Sequence, residues 1–278
     1  MLAEPRGEPA ILAPDSVAWR LFKNPVTLLV GGIGAVILEL AEPRVRTGVW
    51  THTSFRARPV ERLQRTGLAA MMTVYGARSR AEAMIASVVR RHERIAGTTP
   101  AGQTYRANDP VLLQWVHATA CFGIVEATHA HVRSLQRDER DRFYAESRTA
   151  AELYGASASP GSQAEMDALF LAMREQLEPS GIVFEFLRTL RHAPVLPAPL
   201  RPLQGLFIRA AVEIVPPWLR ERLGLEDRWR LYPWQRRVVT ALARGADRLL
   251  VRSGPAVQAC RRLGLPDDYV YGTAHVRD

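Results

Sequence analysis

The stretch Val26–Leu38, VTLLVGGIGAVIL, is the longest apolar run in the chain and ends at Glu39. It falls short of the ~20 residues that a membrane-spanning helix needs, so the protein must cover it with its own side chains. It predicts a buried helix at the centre of a core. With 278 residues, 47% of them hydrophobic, the chain can build that core as one domain, or as one domain with a satellite subdomain. The glycines in the run invite a dinucleotide-binding reading. Gly32 and Gly34 fill the first two positions of G-x-G-x-x-G, but Ile37 occupies the third, and no acidic ribose partner closes a βαβ unit about twenty residues on.

The remainder of the chain also follows a helical period, and no strand is expected. Ser79-Arg80-Ala81-Glu82 has the form of a capping box, and beyond it Ile85, Val88, Val89 and Ile95 make an amphipathic stripe that includes His92. Asn108-Asp109-Pro110 opens another helix, with Leu113, Val116, His117, Ala120, Cys121 and Ile124 along its inner side. Ser162-Gln163-Ala164-Glu165 is a second capping box, leading into a helix that Pro179 ends. Further helices are expected around 182–192, 203–214 and 234–249, and the prolines between Pro194 and Pro202 mark a linker.

Lys+Arg outnumber Asp+Glu by 37 to 28, yet Lys23 is the only lysine and the arginines are scattered through every segment. Proteins that track nucleic acid concentrate their charge in a stripe or tail, so no nucleic-acid partner is expected. A basic surface does suit anionic lipid or an acidic partner, and peripheral membrane contact is the expectation that follows. Cys121 and Cys260 lie far apart without C-x-x-C spacing, which excludes a disulfide framework or zinc knuckle. The opening residues are acidic and proline-rich, unlike a signal peptide. A cytoplasmic location is therefore expected, with no transmembrane helix.

Chemistry in an all-helical chain falls to polar residues on inward faces. Arg62, Arg65 and Thr66 stand at i, i+3 and i+4, one face of a helix whose next turns bring Ala69, Met72 and Thr73 to the interior. Buried arginines without an anion are costly, so a carboxylate or the acid group of a ligand should lie against them. Of the seven histidines, His92 and His117 sit on apolar stripes. His52 lies in the polar stretch THTSFRARP between two helices, His129 and His131 close the His117 helix, His192 ends a later one, and His275 is in the tail. A di-iron carboxylate site needs two Glu-x-x-His pairs, and only Glu126…His129 is present. Thiolate ligation does not suit cysteines inside helical runs, and C-x-x-C-H is absent. What remains is a non-covalent haem b held by one helix histidine, with arginines for its propionates or for oxygen chemistry.

The order LELAEPRVRTGVWTHTSFRARPVERLQRT, VRRHERIAG, YRANDPVLLQWVHATACFG and RDERDRFYAE, over roughly residues 25 to 250, resembles the oxygenase family of the mycophenolic-acid-pathway oxygenase and the rubber oxygenases, or latex clearing proteins. The resemblance implies an all-α multi-helix bundle enclosing a b-type haem, globin-like in general architecture. Its expected divisions are an N-terminal extension at 1–24, a haem-binding core at 25–193 and a C-terminal helical portion at 194–278 packed on the same domain. It implies oxidation of an apolar, often isoprenoid, small molecule with dioxygen. His92 matches the proximal haem ligand and Arg62, Arg65 and Thr66 the distal cluster; His117 is the second candidate for axial ligand. Latex clearing proteins carry a lysine where this chain has Arg65, and a guanidinium with pKa above ~12 does not ligate iron as a neutral amine can. Their catalytic glutamate could correspond to Glu39, Glu42 or Glu61. Two other classes fit the same residues: a non-catalytic haem sensor, store or carrier, and a haem-free helical interaction protein.

Overall fold

The computed structural model describes residues 2–226 and 228–272, so the tail histidine His275 lies outside the described residues. The helices are α1 (Val17–Leu21), α2 (Pro25–Ala41), α3 (Pro43–His52), α4 (Pro59–Tyr75), α5 (Arg78–His92), α6 (Pro110–His131), α7 (Arg137–Tyr154), α8 (Gln163–Met173), α9 (Gly181–His192), α10 (Gln204–Glu213), α11 (Pro217–Arg222), α12 (Pro233–Arg248) and α13 (Pro255–Arg262). The chain is all-α in class. Seven of these helices begin on proline, which suits a first turn whose N–H groups have no intrahelical acceptor. Asn24 caps α2 and Asp109 caps α6, each side chain accepting from backbone N–H groups of the first turn.

The apolar run forms α2, which is the buried central helix, and α6 crosses it antiparallel. Gly31 and Gly123 meet at the crossing so closely that a methyl group on Gly31 would stand 2.6 Å from the Gly123 carbonyl oxygen. One end is pinned by the Trp115 indole N–H, which donates to the Leu38 carbonyl at 3.3 Å. α10 packs on the same helix, where a methyl on Gly34 would lie 2.8 Å from the Ile214 Cδ1. The glycine run thus serves close helix packing, and the dinucleotide motif stays dismissed. α6 is by length and composition the one helix among the described residues long and apolar enough to cross a membrane, and most of it is buried in this core.

The segment before α2 belongs to the same core: Leu2, Ile11, Leu12, Val17, Trp19 and Leu21 are buried in it. Arg262 on α13 ties the ends together, donating to the carbonyls of Leu2 at 2.6 Å, Tyr75 at 2.7 Å and Glu8 at 2.8 Å. The proline segment after α9 carries a 3-10 turn at Ala198–Leu203, and the Gln204 side chain donates to the Ala193 carbonyl at 2.8 Å, so this linker is held against α9.

Three local expectations are corrected. A two-stranded antiparallel hairpin, β1 (Ala96–Thr98) and β2 (Thr104–Arg106), follows α5, its turn closed by Gly102 at φ +83°. α5 begins one residue before the expected cap, and Ser79 instead hydrogen-bonds the Glu8 carboxylate, 71 positions away, through its backbone N–H at 2.6 Å and its hydroxyl at 3.0 Å. The box at Ser162 forms by half: Ser162 Oγ accepts from the Glu165 N–H at 3.2 Å, while the Glu165 carboxylate takes the Gly161 N–H and the Arg148 guanidinium.

Candidate active site

Of the α6 stripe expected to pack inward only Cys121 and Ile124 are buried; Leu113, Val116, His117 and Ala120 keep accessible surface, and it is the neighbouring face of Leu112, Trp115 and Ala118 that packs on the other helices. α2 divides likewise: Ile33, Ile37 and Leu40 are buried, whereas Gly32, Val36 and Glu39, at i, i+4 and i+7, do not pack fully. A side chain added at Gly32 would meet nothing within 4 Å, one residue from the position where Gly31 touches Gly123. Because α2 and α6 run antiparallel through that contact, their accessible stripes lie beside each other. Burial nonetheless dominates the electrostatics of Glu39 and His117. Deep position together with accessible surface makes these two stripes the candidate lining of a site.

Glu39 carries the strongest signature. Burial raises its carboxyl to about 7, offset in part by the positive charge of Arg62, and among the described residues no ion-pair or hydrogen-bond partner is within reach. The other two glutamates are occupied elsewhere. Glu42 caps α3 by accepting the Val45 N–H at 2.7 Å and pairs with the Arg44 Nε at 2.7 Å; Glu61 is exposed and pairs with Arg58 at 3.2 Å. Arg62 is half-buried, and burial lowers its pKa against the raising effect of Glu39. Its guanidinium hydrogen-bonds the Thr66 hydroxyl, which in turn donates to the Arg62 carbonyl at 2.9 Å. Arg65 is exposed and reaches only the Ser54 hydroxyl, at 3.5 Å.

His92, the last residue of α5, is half-buried. Burial first, then the charges of Arg91 and Arg62, hold its pKa below the usual imidazole value, so the ring is neutral near pH 7 and has no hydrogen-bond partner among the described residues. A neutral imidazole with a free lone pair is the form that ligates a metal. The charge of Arg62, on α4, acts on both Glu39, on α2, and His92, on α5, with no ion pair or hydrogen bond to either among the described residues.

His117 has a different setting. Burial lowers it to about 4, and its Nε2 lies 3.4 Å from the Cys121 Sγ, whose own pKa burial raises to about 12. A neutral thiol beside a neutral imidazole is not a nucleophilic pair. His52 ends α3 instead of lying between helices, and its Nε2 is 3.2 Å from the Tyr105 hydroxyl on the hairpin. His131 is buried at 1% exposure, neutral, with neither ring nitrogen bonded. No group of three or more metal-ligating side chains occurs among the described residues. A surface cleft of about 480 Å³ lies between α6, α8 and the α10–α12 region and one of about 690 Å³ between α10, α11 and α12, and none of Glu39, Arg62, Arg65, Thr66, His92 and His117 lines either.

What the spacing could not reveal was the accessible surface along Gly32, Val36, Leu113 and Ala120, since periodicity gives a shared face but not what that face looks onto. Glu39 was one of three possibilities; the capping role of Glu42 becomes visible only once the α2–α3 corner is known.

No curated protein and no solved structure matches the chain. The family model described as "ER-bound oxygenase mpaB/B'/Rubber oxygenase, catalytic domain" matches residues 19–248, a span that contains α2 through α12 and every residue of the candidate site. The chain belongs to the mpaB and rubber oxygenase catalytic-domain family.

Proposed function

We propose that the protein is a haem b-dependent oxygenase acting with dioxygen on a hydrophobic, isoprenoid or lipid-like, small molecule, and that the bundle encloses the haem in a globin-like manner. What supports this reading is a neutral, unpartnered imidazole at His92 which, like the buried carboxyl of Glu39, feels the charge of Arg62, in a chain of the oxygenase family. Oxygenase chemistry itself accords with the family.

A bound haem would supply iron at which dioxygen is reduced and activated. The residues present suit that group. His92 offers a lone pair for the iron, and Arg62 and Arg65 offer positive charge to the propionates or to developing negative charge on oxygen. The Thr66 hydroxyl accepts from the Arg62 guanidinium and donates to the Arg62 carbonyl, so it fixes the direction of the Arg62 head group. Arg65, held only through Ser54, is free to turn toward a ligand, but as a guanidinium it positions and polarises without coordinating. Glu39, with its pKa about 7, can take up a proton from a substrate carbon or oxygen and release it to water near neutral pH. The apolar surface of Gly32, Val36, Leu113 and Ala120 would accept the hydrocarbon part of porphyrin or substrate.

The test is oxygen uptake by the haem-loaded protein with an isoprenoid or unsaturated lipid, read alongside its binding of carbon monoxide or cyanide. Substrate-dependent uptake that falls at least ~100-fold in Glu39→Gln, with ligand binding retained, is the expected result. Ligand binding without uptake for any such substrate would indicate a carrier or sensor instead.

A further inference from the structure

A surface distant from the candidate site shows a different chemistry. α12 buries Gln235, Val239 and Ala243, while Trp234, Arg237, Ala241, Arg244, Gly245 and Arg248 form its outward stripe. Trp234 is 60% exposed at one end of the helix and Leu249 is 62% exposed at the other. At 1.5 Å per residue they stand roughly 22 Å apart. The one acidic residue of α12, Asp247, turns away from this stripe to Lys23, at 3.4 Å. Arg237 and Arg248 have no carboxylate partner among the described residues, and Arg244 donates to the Val132 carbonyl at 3.0 Å.

A large aromatic ring and a leucine stand exposed at the two ends of this basic stripe, apolar and cationic groups on one face. Together they match an interfacial helix, in which apolar anchors enter the acyl boundary and arginines remain at the phosphate level. Beside Trp234, the cleft of about 690 Å³ is lined by Arg220, Arg230, Arg236 and Arg237. Two carboxylates also line it, Glu213 and Glu226, but Glu213 already pairs with Arg236. The surplus is positive.

We propose that α12 is a membrane-docking face: the protein lies on an anionic phospholipid surface, with Trp234 and Leu249 inserted and Arg237, Arg244 and Arg248 on the lipid phosphates. A polyanion such as nucleic acid would satisfy the arginines alone; the exposed apolar anchors single out a bilayer.

The experiment is co-sedimentation of the full chain with phosphatidylcholine vesicles, with and without about 30 mol% phosphatidylglycerol, at about 0.1 M salt and again at about 1 M, where the Debye length falls from about 10 to about 3 Å. The expected result is binding to the anionic vesicles only, lost at high salt. Arg237→Gln/Arg248→Gln should weaken it about 25-fold, about fivefold per arginine. Trp234→Ala should weaken it several-fold at unchanged charge, and both variants should keep the parent's circular dichroism and unfolding temperature. Arg6→Gln/Arg137→Gln, which removes equal charge from exposed positions elsewhere, should leave binding intact. The proposal is overturned by a failure to bind anionic vesicles, by equal losses in the two arginine pairs, or by binding that is indifferent to Trp234→Ala.

Discussion

Two arginines removed from bulk water, Arg262 and Arg62, face the same difficulty and meet it in opposite ways. In both, burial pulls the pKa down. Arg262, 2% exposed, spends its donors on the carbonyls of Leu2, Glu8 and Tyr75 and so closes the N-terminal segment, the end of α4 and α13 into one knot. Arg62 has the Thr66 hydroxyl of its own helix and, beyond ion-pair range, the charge of Glu39. The difference teaches that a structural arginine can be recognised by donors fixed on main-chain carbonyls of distant segments, even with the Arg262 Nη2 left without a partner, and a ligand-binding one by a guanidinium held only within its own helix.

The largest effect that would break this comparison is on stability. Arg262→Met leaves three buried carbonyls without a donor and should cost about 3–5 kcal/mol in denaturant unfolding. Arg62→Met in the haem-free protein should change stability by no more than about 1 kcal/mol, because it removes a poorly compensated buried charge. Equal losses would mean that Arg62 is also structural.

The adjacent glycines Gly31 and Gly32 sharpen the same contrast between packed and open surface. Gly31→Ala drives a methyl into the Gly123 backbone and should cost about 1–3 kcal/mol or more. Gly32→Ala meets nothing within 4 Å and should be neutral or stabilising by up to about 1 kcal/mol, the usual gain from replacing a helical glycine. Thermal unfolding of the two variants measures this, and a large loss in Gly32→Ala would show that α2 is packed there.

Glu39 gives a pH signature. Its folded pKa, about 7, lies above the ordinary 4.5, so its contribution is fully present below pH 4.5 and is lost as pH rises toward 7, by up to about 3 kcal/mol. Glu39→Gln should remove that slope from stability measured across pH 4.5–7. His117 has the opposite sign: with its pKa lowered from 6.5 to about 4, stability present above 6.5 is lost as pH falls toward 4, and that limb should persist in the glutamine variant. An unchanged profile in Glu39→Gln would place the carboxyl in water. The smallest change is Arg65→Lys, which keeps the charge and should leave stability within about 0.5 kcal/mol. Its amine can ligate where the guanidinium cannot, so in the haem-loaded protein it should shift the Soret band.

Much of the architecture was readable because its signals are local. The helix start at Asp109-Pro110 and the apolar run of α2 each act within a turn of chain. Ser79 was misread because its partner, Glu8, is distant in sequence, and a local motif cannot register a competing long-range acceptor. The hairpin after α5 was missed because its strands are three residues each and depend on Tyr105 packing beside Gly97 and Gly48. In the candidate site, the shared helix face of Arg62, Arg65 and Thr66 was legible from spacing, but not that Arg65 and Thr66 stay exposed while Arg62 is half-buried. That His92 is left unpartnered while His117 faces Cys121 follows from the packing of α5 and α6, which the stripes of the two helices do not distinguish.

The central claim, that His92 holds a haem in this site, is tested most directly by the visible spectrum and pyridine haemochrome of the purified protein compared with His92→Ala and His117→Ala. The account predicts a Soret band with near-stoichiometric haem b in the parent and in His117→Ala, and its loss in His92→Ala. A colourless parent that takes up no added haemin, or a Soret band kept in His92→Ala and lost in His117→Ala, would contradict it.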